Sequence, residues 1–118
     1  MPAMTPLETL AKWTSEIAVA DIPAAQHRRA RLRLLDTLGL IAAAAEHPVG
    51  RSLAAWADAN RGSGAHVLIS GCATSPAVAA LVHGSLAHAR DFDDSFSETV
   101  VHPGSIVVAA TLRWKSVV

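Results

Sequence analysis

The stretch "TSPAVAALVHGSLAHARDFDDSFSETVVHPGS", residues 74–105, decides how the chain folds. Thr74-Ser75-Pro76 has the form of a helix cap followed by proline at the first helical position, and VAALVHGSLAHAR continues it without a further proline. His102-Pro103-Gly104-Ser105 opens another helix, which the pattern carries through IVVAATLRW. Two helices therefore bracket a connector in which Asp91, Asp93 and Asp94 fall within four residues, flanked by His88 and His102. Charge this dense beside core-like sequence needs a reason. Chemistry offers a metal loop, an acid/base cluster or a solvated connector.

Outward from this stretch the chain reads as helix after helix. Thr5-Pro6-Leu7-Glu8 has the form of a capping box, and Leu7, Leu10, Ala11, Ile17 and Ala18 follow at helical spacing, which predicts a first helix over about 5–18. Asp21-Ile22-Pro23 restarts the pattern. Leu32, Leu35, Leu38, Leu40, Ile41 and Ala45 then predict a long second helix, basic at its start (His27, Arg28, Arg29, Arg31, Arg33), ended by Pro48. That basic segment reads as a solvated face. SLAAWADAN at 52–60 predicts a short third helix, closed by Asn60-Arg61-Gly62-Ser63-Gly64. His66-Val67-Leu68-Ile69-Ser70 is the one β-like run, expected as an irregular connector or a small hairpin partner. Alanine supplies 24 of 118 residues, which favours helix and close helix approach. The expected fold class is all-α, with about five helices.

A chain of 118 residues buries roughly two-thirds of its unfolded surface, enough for one domain's core and too little for two lobes with a cleft between them. Ten basic and ten acidic side chains cancel, so no net field draws nucleic acid or an anionic membrane. A small molecule or another protein is the expected partner. Cys72 is the sole cysteine, with no context that marks a nucleophile; it precludes an internal disulfide and fits a reducing compartment. Glu8, Lys12 and Glu16 interrupt the N-terminal apolar pattern, so no signal peptide is expected, and LGLIAAAA at 38–45 is far short of the roughly 20 residues of a membrane span. A cytoplasmic protein is expected. Trp13, Trp56 and Trp114 read as core or interface anchors, and Asp36 as either buried and paired or on a wet face.

The acidic connector fits calcium poorly. Asp91, Asp93, Ser95 and Ser97 alternate as in an EF-hand loop, but Phe96 stands where that loop needs glycine and His102 where it needs a bidentate glutamate. For zinc, His83, His88 and His102 can join the carboxylates, yet no pair has the i,i+4 spacing of a helical zinc site. No metal is expected. The acid/base reading is physically better. A continuous fourth helix puts Gly84, His88 and Asp91 on one stripe, and His102 before its proline opens a helix whose free N–H groups favour an anion. A histidine there, facing carboxylates, suits proton abstraction next to a carboxylate group. The alternative stays open that Asp93 and Asp94 only cap backbone while His88 packs in the core.

Three segments in order, "RARLRLLDTLGLIAAAA", "SPAVAALVHGSLAHARDFDDSF" and "VHPGSIVVAATL", resemble the N-terminal part of the MmgE/PrpD family, from about residue 6 to 112. The most specific element is G-S-L-A-H-A-x-D-F-D-D followed by H-P. The family includes 2-methylcitrate dehydratase and cis-aconitate decarboxylase. The resemblance implies a helical domain with a separate α+β lid, usually a homodimer, acting on small polycarboxylates, in many members with neither metal nor organic cofactor. It implies that Asp91, Ser95 and His102 lie in the active-site pocket: Asp91 to orient a partner or bind substrate, Ser95 to hydrogen-bond a carboxylate, His102 to transfer a proton or bind a carboxylate. Ser95 stands where the family commonly has threonine and keeps the hydroxyl. His88 is expected to join Ser95 in binding substrate. Family members run to several hundred residues, and "RWKSVV" does not continue their pattern, so residues 1–118 are expected to be a partial N-terminal helical domain without the lid, inactive alone. The alternative expectation is a small helical interaction or dimerisation module without catalysis.

Overall fold

The computed structural model describes residues 4–112 and divides the chain into two compact units, Met1–Arg31 and Leu32–Val118. In the first unit, α1 (Pro6–Glu16) starts at the predicted capping box: the Glu8 amide donates to Thr5 Oγ1 at 3.3 Å and the Thr5 amide donates to Glu8 Oε2 at 2.8 Å. It ends two residues earlier than its apolar pattern, because Ile17 is already extended. A single 3₁₀ turn, Val19–Asp21, leads to α2 (Ala24–Ala43), within which the division between the units falls. The basic residues Arg28, Arg29, Arg31 and Arg33 are exposed, as a solvated face requires.

In the second unit α2 gives way to α3 (Pro48–Ala59). Pro48 does not end α2, which stops at Ala43 ahead of a turn; it occupies the first turn of α3 instead, where its missing N–H costs nothing, and α3 begins earlier than residue 52. His47 caps it, with Nδ1 accepting from the Val49 amide at 3.3 Å. Of the two expectations for the run at 66–70, the irregular connector is the one observed, with only His66 belonging to a strand. β1 is Arg61–His66, antiparallel to β2 (Ala73–Thr74), while Leu68, Ile69 and Ser70 form the turn between them. Val67, Leu68 and Ile69 are apolar because they pack on the core, with Val67 fully buried.

α4 (Pro76–His88) is the central element of this unit, touching α3, β1 and α5 (Pro103–Thr111). Ser75 caps it, its hydroxyl accepting from the Val78 amide at 3.3 Å. Ile41 of α2, Ala57 of α3, Val67, Cys72, and Val82, Leu86 and Ala87 of α4 make the core. Cys72 is buried there with its sulfur near the Ala57 carbonyl, a packing role. His83 is buried as well, and its Nε2 accepts from the Leu68 amide at 3.0 Å, tying α4 to the β-turn. Gly84 lets α5 approach: a Cβ there stands 3.2 Å from the Ser105 carbonyl oxygen.

The all-α expectation holds, with five α-helices and one two-stranded sheet among the described residues. Trp13 and Trp56 are not core anchors, since both are exposed, and Asp36 lies on a wet face. Trp114 and the end of the predicted fifth helix lie outside the described residues. None of the described helices is long and apolar enough to cross a membrane.

Candidate functional site

His88 is the last residue of α4 and His102 the residue that precedes α5, so the packing of α4 on α5 sets the distance between their rings. The ring centroids lie 4.8 Å apart, tilted by 57°. Pro103 fixes the start of α5, and His102, in the N-cap position, makes no side-chain cap bond. Its imidazole is turned instead toward the connector. Nδ1 lies 3.5 Å from Asp93 Oδ1 and 3.5 Å from Ser95 Oγ.

Asp93 is the acceptor on which both rings converge. Its side chain is 2 % exposed, and His88 Nδ1 donates to it at 2.9 and 3.2 Å. Burial alone pushes a carboxyl pKa up. Here the His88 hydrogen bond, the Ser105 hydroxyl, the residue's own backbone N–H and the His88 charge together outweigh burial and hold Asp93 below the ordinary aspartate value. Reciprocally, the Asp93 hydrogen bond and charge raise the His88 pKa, against slight desolvation and with a smaller contribution from Asp91. With Nδ1–H donated to Asp93, His88 presents Nε2 as the basic nitrogen.

The stripe reasoning for Asp91 does not hold. α4 stops at His88, the Asp91 amide donates to the His88 carbonyl at 2.9 Å, and Asp91 adopts φ 56, a left-handed conformation that aspartate tolerates better than most residues. It is exposed, yet one donor atom from each of His88, Asp91, Asp93 and His102 lies within 4.8 Å of the others. Asp94 has a different role. Its Oδ1 accepts from the Gly104 amide at 2.8 Å and its Oδ2 pairs with Arg33 of α2. The anion expected at the N-terminus of α5 is thus this carboxylate, and a Cβ on Gly104 would collide with it.

The structure brings together the four residues singled out from sequence: His88, Asp91, Ser95 and His102. Sequence reasoning missed Asp93 as the shared acceptor, Ser105 beside it and the Arg33–Asp94 clamp. Asp93 was legible only as one of three neighbouring carboxylates. Arg33 lies 61 positions from its partner, and nothing in its sequence context marks it. His83 does not join the site, being committed to Leu68 in the core.

His88, His102, Gly84 and Ser105 line an open groove of about 590 Å³ between α4 and α5, whose other walls are largely apolar (Leu81, Val101, Ile106 and neighbours). This volume suits a small organic ligand. No lysine or arginine is among its lining residues.

Compared with known proteins, the chain matches the family model of the MmgE/PrpD N-terminal domain over residues 8–114. Neither the curated proteins nor the solved structures compared with it give a match.

Proposed function

Because the chain belongs to the MmgE/PrpD family, matching its N-terminal domain over nearly its whole length, we propose that it supplies the proton-transfer half of a lyase site acting on small polycarboxylates, with elimination of water from a 2-methylcitrate-like substrate as the reaction. The observation that carries this reading is the convergence of two imidazoles on one buried carboxylate at the mouth of a ligand-sized groove. Elimination next to a carboxylate requires a base to take a proton from carbon while the leaving hydroxyl receives one. His102 takes the first role. His88, whose Asp93 bond favours the protonated ring, holds a proton to give and binds substrate. Asp93 orients both rings and stabilises whichever is cationic, as a buried carboxylate behind an imidazole does. Ser95 offers its hydroxyl to a substrate carboxylate beside His102. Asp91, exposed beside the cluster, orients a partner or the substrate.

The negative charge that develops in such an elimination needs cationic or N–H donors. The groove lining has no cationic side chain apart from its histidines. Residues 1–118 alone are therefore expected to show no turnover, and the reading places the missing donors on further parts of a family-type fold. A homo-oligomer, a cytoplasmic location and operation without an organic cofactor go with this reading.

The test is steady-state kinetics on 2-methylcitrate and cis-aconitate with residues 1–118 carried in a complete family-type polypeptide. Turnover that falls by roughly 10² or more in His102→Ala supports the reading. Turnover unchanged in that variant overturns it and favours the second reading, a helical dimerisation module, for which the exposed apolar residues of α4 and α5 speak.

A further inference from the structure

We propose that Arg33 of α2 is a positioning residue for the site: acting through Asp94, it fixes the first turn of α5 and so the place at which His102 meets Asp93. The effect on turnover rests on the lyase reading; the placement of the ring does not.

His102 has little of its own to hold it. Its side chain makes no cap bond to α5, and its two polar contacts, with Asp93 and Ser95, are both 3.5 Å long, at the outer limit of a hydrogen bond. The ring therefore goes where its backbone puts it. That backbone is tied on either side of Pro103: the Ser105 hydroxyl donates to the His102 carbonyl at 2.9 Å, and the Gly104 amide donates to Asp94 Oδ1 at 2.8 Å. Pro103 has a fixed φ, so a shift of Gly104 is passed on to His102.

Asp94 is thus the tie between connector and helix, and one bond does not orient a carboxylate, whose last torsion is broad. Arg33 takes the other oxygen, Oδ2, and sets the plane of the group. Four residues further along α2, on the same face, Thr37 is buried, donates to the Arg33 carbonyl at 2.9 Å and has its Oγ1 3.4 Å from where a Cβ of Gly104 would stand. One face of α2 therefore presents Arg33 and Thr37 to the start of α5. Among the described residues Arg33 alone of Arg28, Arg29, Arg31 and Arg33 forms an ion pair, which sets it apart from the solvated face around it. Being mostly exposed, the pair adds little stability, and what it supplies is orientation.

NMR of residues 1–118 tests the placement, through cross-relaxation between the ring protons of His88 and His102, whose centroids lie 4.8 Å apart. Arg33→Ala should leave the urea midpoint close to wild type, as for other exposed side chains, while the cross-relaxation between the rings is strongly weakened. Arg33→Lys, which keeps a charge able to meet one carboxylate oxygen, should restore it. Asp94→Asn, which keeps an acceptor for the Gly104 amide but removes the charge that Arg33 meets, should weaken it as Arg33→Ala does. In a complete family-type polypeptide Arg33→Ala should lower kcat by roughly 10-fold, the scale of a lost outer partner, with KM unchanged, because Arg33 does not line the groove. Ring cross-relaxation in Arg33→Ala equal to wild type overturns the proposal, and so does a loss that Arg33→Lys fails to restore. An unchanged kcat in Arg33→Ala, where His102→Ala has lost turnover, overturns it as well. Full turnover in His102→Ala sinks the lyase reading alone, and the ring measurement then still supports or overturns the placement.

Discussion

Asp94 shows how little the type of a residue says about its task. Three aspartates share one short segment, and each does something different: Asp91 accommodates a left-handed turn, Asp93 lies beneath two imidazoles, and Asp94 caps α5 while pairing with Arg33. Because Arg33 is mostly exposed, its ion pair contributes little, and the cap carries most of the effect. Asp94→Ala should therefore lower stability by about 1 kcal/mol, whereas Asp94→Asn, which keeps an acceptor for the Gly104 amide, should cost a few tenths, both read from urea denaturation midpoints. His83 gives the second residue-scale prediction. Burial pushes its pKa down, so the unfolded chain binds the proton more readily. Its contribution is intact above the unfolded value of about 6.5 and is lost as pH falls through and below it. Stability measured at pH 8 and at about pH 5.5 should drop, and His83→Gln should remove part of that drop. The family motif pointed to this cluster of residues, but which carboxylate receives the imidazoles depends on the path of a loop. Asp93 is five residues from one ring and nine from the other, and no local periodicity encodes that meeting.

At the scale of the element, the caps were the most legible feature. A capping box or a serine–proline start acts within four residues, so Thr5, Glu8, Ser75 and Pro76 do in the structure what their spacing implies. The β-like run could be narrowed only to a connector or a hairpin partner, because Val67, Leu68 and Ile69 are apolar for burial, and burial is compatible with a turn when neighbouring backbone groups find partners. Here the Val67 amide reaches the Cys72 carbonyl and the Leu68 amide reaches His83. The end of α4 was equally hidden, since nothing in Ala89-Arg90 forbids helix; the left-handed Asp91 terminates it. α4 also separates core from surface residue by residue. Leu86→Ala, at a fully buried position, should cost about 2–5 kcal/mol. Leu81→Ala on the same helix, 54 % exposed, should change stability by no more than about 0.5 kcal/mol. Thermal unfolding of the two variants in parallel checks the contrast.

For the molecule as a whole, exposed apolar side chains are the dominant surface feature. Leu81, Phe92, Val100, Ile106 and Val107 all face solvent around α4, the connector and α5. Soluble monomers tolerate contiguous apolar patches of only a few hundred Å². The isolated chain should self-associate at micromolar concentration, and sedimentation velocity showing a monomer would contradict that. The overall helical fold was legible because alanine content and cap spacing are distributed through the whole sequence; the groove was not, because it arises between two helices. That Asp93 holds the histidine pair is tested most directly by imidazole NMR titration of the chain. His88 should titrate above the ordinary histidine value of about 6.5 with its proton on Nδ1 in the neutral ring, Asp93→Asn should remove most of this elevation, and Asp91→Asn should remove less. A wild-type His88 that titrates at the ordinary value, or an elevation that survives Asp93→Asn, would contradict it.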